Sequence, residues 1–155
     1  MTDSANHPTP PNLDDLPLKA SVTWQRQNGQ DSRHFIGVSP SGHDVQIDAN
    51  KREGASPMEL ILLGLGGCAS YDVVSILQKA RQTVTDVRCE MSAKRADDVP
   101  AVYTDIHLHF VVTGDDVADK HVARAVKLSA EKYCSASRML EQGGVNITHD
   151  YAINN

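Results

Sequence analysis

The sequence predicts an α+β fold: antiparallel strands around two main helices, the first of them buried at the centre of a homodimer. Three observations carry this. Apolar and polar residues alternate with a period of two in runs near the N-terminus and again past the middle of the chain, the signature of half-buried strands. Between those runs lies a long apolar helix with a strong start signal. After them comes a second helical stretch that ends at a cysteine.

The elements follow in order. Residues 1–17 hold Pro8, Pro10, Pro11 and Pro17 among polar side chains, too little apolar surface to order, so they are expected to form a flexible arm ahead of a single domain over 18–155. Ala20, Val22 and Trp24 alternate with Lys19, Ser21 and Thr23, which predicts a first strand. Asn28-Gly29 marks a turn. His34 to Val38 and Asp44 to Asp48 make two further strands, joined through Ser39-Pro40-Ser41-Gly42. Together they form a small antiparallel meander.

Ser56-Pro57-Met58-Glu59 then offers an N-cap hydroxyl, proline at the first helical position and a glutamate three residues after the cap, the capping-box pattern. The helix is expected to reach about Arg81. Its first half, Leu60 to Ala69, is apolar on every side, so it must be covered all round. A chain this small hardly encloses a helix alone, and a second subunit over one face is the economical answer. Gly64, Gly66 and Gly67 lie inside it, although glycine costs ~1 kcal/mol against alanine there; close approach by another element would compensate. A phosphate-binding loop is a poor reading of them, because such glycines lie between a strand and a helix start.

Past the helix, Val87, Cys89, Met91 and Ala93 alternate with polar residues, and so do Ile106, Leu108 and Phe110. These runs predict a hairpin with one wet face. Asp115 to Tyr133 reads as helical, with Val117, His121, Ala125 and Leu128 along one side. Cys134 opens a second short helical piece, Gly143-Gly144 ends it, and residues 145–153 make a last strand.

Composition narrows the function. The net charge of −5 argues against nucleic acid, which needs a basic stripe, and against an anionic membrane surface. The richest apolar run has ten residues, Leu60 to Ala69, against the ~20 of a membrane span. No basic start leads into an apolar stretch at the N-terminus, so a cytoplasmic location is expected. In that reducing compartment three cysteines do not make a disulfide framework, and a disulfide would be catalytic or transient.

Cys68 lies near the middle of the apolar helix. Burial there raises a thiol pKa, and the residue is equally well read as a small core hydrophobe. Cys134 opens a helix, where orphan N–H groups favour a thiolate; a buried hinge residue is the alternative. Cys89 faces with Val87 and Met91, which points to core packing. Asp105, His107 and His109 share one strand face. A His-x-His pair can chelate a metal, but a polar strand face explains the three at least as well, and no metal is assigned.

Ser56-Pro57-x-Glu59-Leu60, Gly-Gly-Cys68 on an apolar helix, and Lys132-Tyr133-Cys134-Ser135 downstream together resemble the OsmC/Ohr family, closest to its uncharacterised OsmC-like branch. The resemblance covers about residues 19–153. It implies an intertwined homodimer and thiol-dependent reduction of organic hydroperoxides without metal, flavin or other cofactor. Cys68 would be the peroxidatic thiol and Cys134 the resolving one. A dithiol such as a lipoylated protein would be the reductant. The apolar helix face around Leu62, Leu65 and Tyr71 would admit the substrate, though core packing explains those residues equally well. The family's activating arginine falls on Arg33, with Arg26 as competitor. One departure stands out: the glutamate that follows the proline in peroxide-reducing members is Met58 here, and Glu59, one residue later, is explained by the capping box. A redox sensor or a binder of small apolar ligands is therefore the alternative function.

Overall fold

The structure, a computed structural model, describes residues 12, 15–26 and 32–155. Most of the expected arm, and the Asn28-Gly29 turn, lie outside the described residues. The chain divides into two units, Met1–Pro57 and Met58–Asn155, and each is taken by itself.

The N-terminal unit is the expected meander. β1 (Ser21–Trp24), β2 (His34–Val38) and β3 (Asp44–Asp48) pair antiparallel in that order. The β2–β3 turn closes with the Ser39 N–H on the His43 carbonyl at 2.9 Å, and Gly42 takes a φ of 84° there, a left-handed conformation that glycine adopts without a steric penalty. After β3 the buried Asp48 carboxylate accepts the N–H groups of Asn50, Arg52 and Glu53 at 2.8–3.0 Å, so one side chain satisfies the backbone of a loop that has no strand partner.

In the second unit, α1 (Pro57–Lys79) starts on the proline of the capping signature. At 23 residues it is long and apolar enough to cross a bilayer by length and composition. The expectation of no such segment, drawn from a ten-residue run, is therefore corrected: residues 70–79 add Val73, Val74, Ile76 and Leu77. The helix is nonetheless a core helix. Leu65, Ala69, Val73 and Leu77 recur every fourth residue and are fully buried, as one face of a helix requires. They share one core with Ile106, Leu108, Phe110 and Val112, and with Val122, Ala125 and Val126.

That core rests on a second three-stranded sheet. β4 (Thr83–Arg95) and β5 (Tyr103–Asp115) are antiparallel and thirteen residues long each. The fold is thus α+β as expected, but not wholly antiparallel: β6 (Asn146–Asn154) pairs parallel to β5. The reason is the helical connection between them, which carries the chain back to the end from which β5 started. It consists of α2 (Asp119–Leu128), a π-helical turn over Ser129–Tyr133 and α3 (Ser135–Gln142), the last being the short helical piece expected after Cys134. α2 starts later than its sequence pattern proposed, because β5 continues to Asp115 opposite Thr83 and the chain reverses at Asp116, with φ 51°. Its inward face is Val122, Ala125 and Val126, not the expected line through His121 and Leu128, which are only half-buried.

Of the three helical glycines, Gly66 alone has the expected close approach: a Cβ there would stand 2.3 Å from Sδ of Met91 on β4. At Gly64 and Gly67 a Cβ would meet nothing within 4 Å among the described residues. With Leu63 (55% exposed) and Tyr71 (74% exposed) they form an apolar face of α1 that the second unit leaves open.

Candidate thiol site

Cys68 sits mid-helix on α1, half-buried and packed against the core. Cys134 is wholly buried and occupies the N-cap of α3, with extended backbone (φ −66°, ψ 107°). Its Sγ accepts the N–H of Ser137 at 3.4 Å. This is the capping geometry of serine or aspartate, with sulfur in place of oxygen.

The π-helical turn explains how these distant residues meet. Cys134 N–H bonds to Ser129 O at 3.0 Å, an i→i−5 link that widens the last turn before α3. The buried Ser129 Oγ in turn donates to the carbonyl of Ala69 at 2.8 Å. This fastens the turn to α1 beside Cys68. The Cys68 thiol thereby becomes a neighbour of Cys134, near enough to influence it, and both are reduced.

The electrostatics of Cys134 are a contest. Burial pushes its thiol up most strongly; the hydroxyl and N–H of Ser137 pull it down; the neighbouring Cys68 pushes it up again. Burial and Cys68 prevail, so the thiol is raised. The expectation that a helix N-terminus favours the thiolate is thus met in kind and outweighed by desolvation.

Cys89 joins this neighbourhood. It packs on the core as expected. Ser70, two residues past Cys68, acts on it to lower its pKa, and Cys134 acts on it to raise it. Burial, the largest influence, drives its thiol to about 11. The strand alternation foretold its inward direction, while its nearness to Cys134 depends on how α1 crosses β4.

The remaining candidates scatter. Leu65 belongs wholly to the core, and Leu62 packs against it half-buried. Tyr71 lines a groove of about 660 Å³ between α1 and α2, with Asp72, Lys79, His121, Arg124 and Tyr133 among its walls. The groove begins one turn past Cys68 and next to Cys134. Met58 packs on the core, and its carbonyl accepts the Tyr103 hydroxyl at 2.7 Å. Arg33 and Arg26 belong to the N-terminal unit, Arg33 directly before β2.

His107 and His109 point outward from β5 and share the Asp150 carboxylate of β6; His107 Nδ1 also meets Thr148 Oγ1 at 2.8 Å. Asp105 is taken by Asn146 at 3.1 Å. Among the described residues, no group of three or more His, Cys, Asp or Glu is arranged to hold a metal ion.

Sequence reading missed the serines that build the site: Ser70, Ser129 and Ser137. Only Ser137 had a signal, standing three residues after Cys134 where a cap's N–H donor belongs. Ser129 and Ser70 act across elements, and no local pattern announces that.

Two neighbouring free cysteines, one on a core helix and one at a helix N-cap, on a sheet with one parallel edge strand, define an α+β protein with a partly buried thiol pair. The chain belongs to the OsmC-like protein family, whose model matches residues 49–150. It is 52% identical over 137 residues to Protein YhfA of Escherichia coli strain K12, covering 88% of this chain and 98% of that one. An OsmC-like protein from Mycoplasma pneumoniae superposes with a TM-score of 0.72 at 13% identity, over 89% of this chain and 97% of that chain. The organic hydroperoxide resistance protein OhrB of Bacillus subtilis superposes with a TM-score of 0.57 at 16% identity, over 87% and 97%. At these identities the two structures speak to fold alone.

Proposed function

We propose that the protein is a thiol-dependent peroxidase acting on organic hydroperoxides in the cytoplasm. The observation that carries this is the nearness of the Cys68 and Cys134 thiols, with the turn before Cys134 fastened to α1 by the Ser129 hydroxyl on the Ala69 carbonyl. The Cys68 thiolate attacks the distal oxygen of ROOH; the O–O bond breaks, ROH leaves after taking a proton, and Cys68 becomes a sulfenic acid. Cys134 then attacks Sγ of Cys68, water leaves, and a disulfide remains. A dithiol such as a lipoylated protein reduces it by two thiol–disulfide exchanges. The half-buried Cys68 suits the first step and the fully buried Cys134 the second. Arg33 is assigned the activation of Cys68 from the family resemblance.

A homodimer completes this reading. The open face of α1 at Leu63, Gly64, Gly67 and Tyr71, and the exposed Val22 and Trp24 of β1, are apolar surface that a second copy would remove from water.

The test is oxidation of the reduced protein by cumene hydroperoxide and by hydrogen peroxide, followed by stopped flow and mass spectrometry. Fast formation of a Cys68–Cys134 disulfide, faster with the organic peroxide and absent in Cys68→Ser, is the expected result. A rate no greater than that of a free thiol would overturn it. Met58, apolar and packed on the core where peroxide-reducing relatives carry glutamate, favours the second reading, a redox sensor or binder of small apolar ligands. That reading gains if the disulfide forms but does not turn over with a dithiol.

A further inference from the structure

Ser137 has no assigned role, and its surroundings are unusual. It is wholly buried, and its Oγ has no hydrogen-bond partner among the described residues. A buried hydroxyl left this way costs free energy, so its retention needs a reason. It lies at the third position of α3, where its own N–H reaches Sγ of Cys134 at 3.4 Å. Its hydroxyl acts on the same sulfur and favours the charged form. While Cys134 is a neutral thiol, sulfur is a poor acceptor and the O–H bond stays slack. Once the sulfur is a thiolate it becomes a strong one.

We propose that Ser137 is a positioning residue for the second thiol: its hydroxyl and N–H together hold the negative charge that Sγ of Cys134 carries when it attacks Cys68 and when it leaves. The inference rests on the reading of Cys134 as the resolving thiol and deepens it. In the forward step, Sγ of Cys134 gives up its proton and bonds to Sγ of Cys68, and the sulfenic hydroxyl takes a proton and departs as water. In the return step, Sγ of Cys134 lies out of reach in the core, so an incoming thiolate bonds to Sγ of Cys68. The S–S electron pair then leaves on Cys134, the atom that Ser137 faces. One donor set thus serves both directions without contacting peroxide or reductant.

The test avoids peroxide, so that it does not stand or fall with peroxidase activity. In a Cys89→Ser background, the half-buried Cys68 is converted by an aryl disulfide, dithionitrobenzoate, to a mixed disulfide with release of one coloured thiolate. Attack by Cys134 on Sγ of Cys68 releases the second. The rate of that second release is followed against pH with Ser137 and with Ser137→Ala. Losing a hydrogen bond to a charged sulfur lowers the thiolate fraction by about tenfold, while the more basic thiolate is intrinsically faster, so the net loss is roughly three- to fourfold near neutral pH. At alkaline pH, where both sulfurs are ionised, Ser137→Ala should equal or overtake the parent. A merely structural defect would slow the variant by the same factor at every pH, and that result overturns the proposal, as would equal rates throughout. Loss of the second release even with Ser137 present would instead sink the reading of Cys134 as resolving thiol, and this inference with it.

Discussion

The hydroxyl of Ser129 donates to the carbonyl of Ala69 across a fully buried 2.8 Å contact. It is the one side-chain hydrogen bond described between α1 and the π-helical turn that leads into Cys134. Without it, only apolar packing would keep the two cysteine-bearing turns in register.

Ser129→Ala removes the donor and leaves the Ala69 carbonyl with its helical partner alone. The variant should lose about 1 kcal/mol of stability. Calorimetry should show the midpoint falling by roughly 2–4 °C. Disulfide formation between Cys68 and Cys134 should slow by more than that loss implies, because the thiols no longer share a fixed geometry. Peptide mapping after timed oxidation measures it.

The raised thiol of Cys89 gives alkaline pH an effect of known sign. Its ordinary value is 9.0 and burial moves it to about 11. The unfolded chain therefore releases this proton first as pH rises. The contribution to stability is complete below about pH 9 and is lost as pH climbs through about 11. Urea midpoints measured at intervals across that range should fall less steeply in Cys89→Val than in the parent. Equal slopes would show that other groups govern the alkaline limb.

The glycines of α1 should respond in opposite ways. Gly66→Ala drives a methyl into the Met91 thioether and should cost roughly 1–3 kcal/mol unless Met91 turns aside. Gly64→Ala meets nothing within 4 Å among the described residues, and helix propensity alone should stabilise a monomer by ~1 kcal/mol. If a second copy packs on this face, Gly64→Leu should weaken self-association while leaving the circular dichroism spectrum unchanged. Sedimentation equilibrium distinguishes the cases.

Arg33→Ala should slow oxidation of Cys68 by an organic hydroperoxide by roughly a hundredfold, the effect of removing one charge-stabilising donor, while Arg26→Ala should leave it within about twofold. The reverse order would transfer the activating role to Arg26.

The sequence by itself determined much of this. The Ser56-Pro57 start of α1, the strand alternation of Ile106, Leu108 and Phe110 and the two cysteine motifs are local patterns. Their physical causes, capping, period-two burial and helix ends, act within a few residues of the chain. Family membership was legible for the same reason.

Tertiary structure decided the rest. The parallel pairing of β6 follows from a crossover that no residue of β6 encodes. The beginning of α2 was misplaced by four residues because strand pairing carried β5 to Asp115 and the chain reverses at Asp116 before the helix starts at Asp119. At the thiol pair, the cysteines and their order could be read from the sequence, and even the capping position of Cys134. What could not be read is the outcome of a contest. A helix N-terminus and Ser137 favour the thiolate, burial and Cys68 oppose it, and burial depends on everything packed around that sulfur.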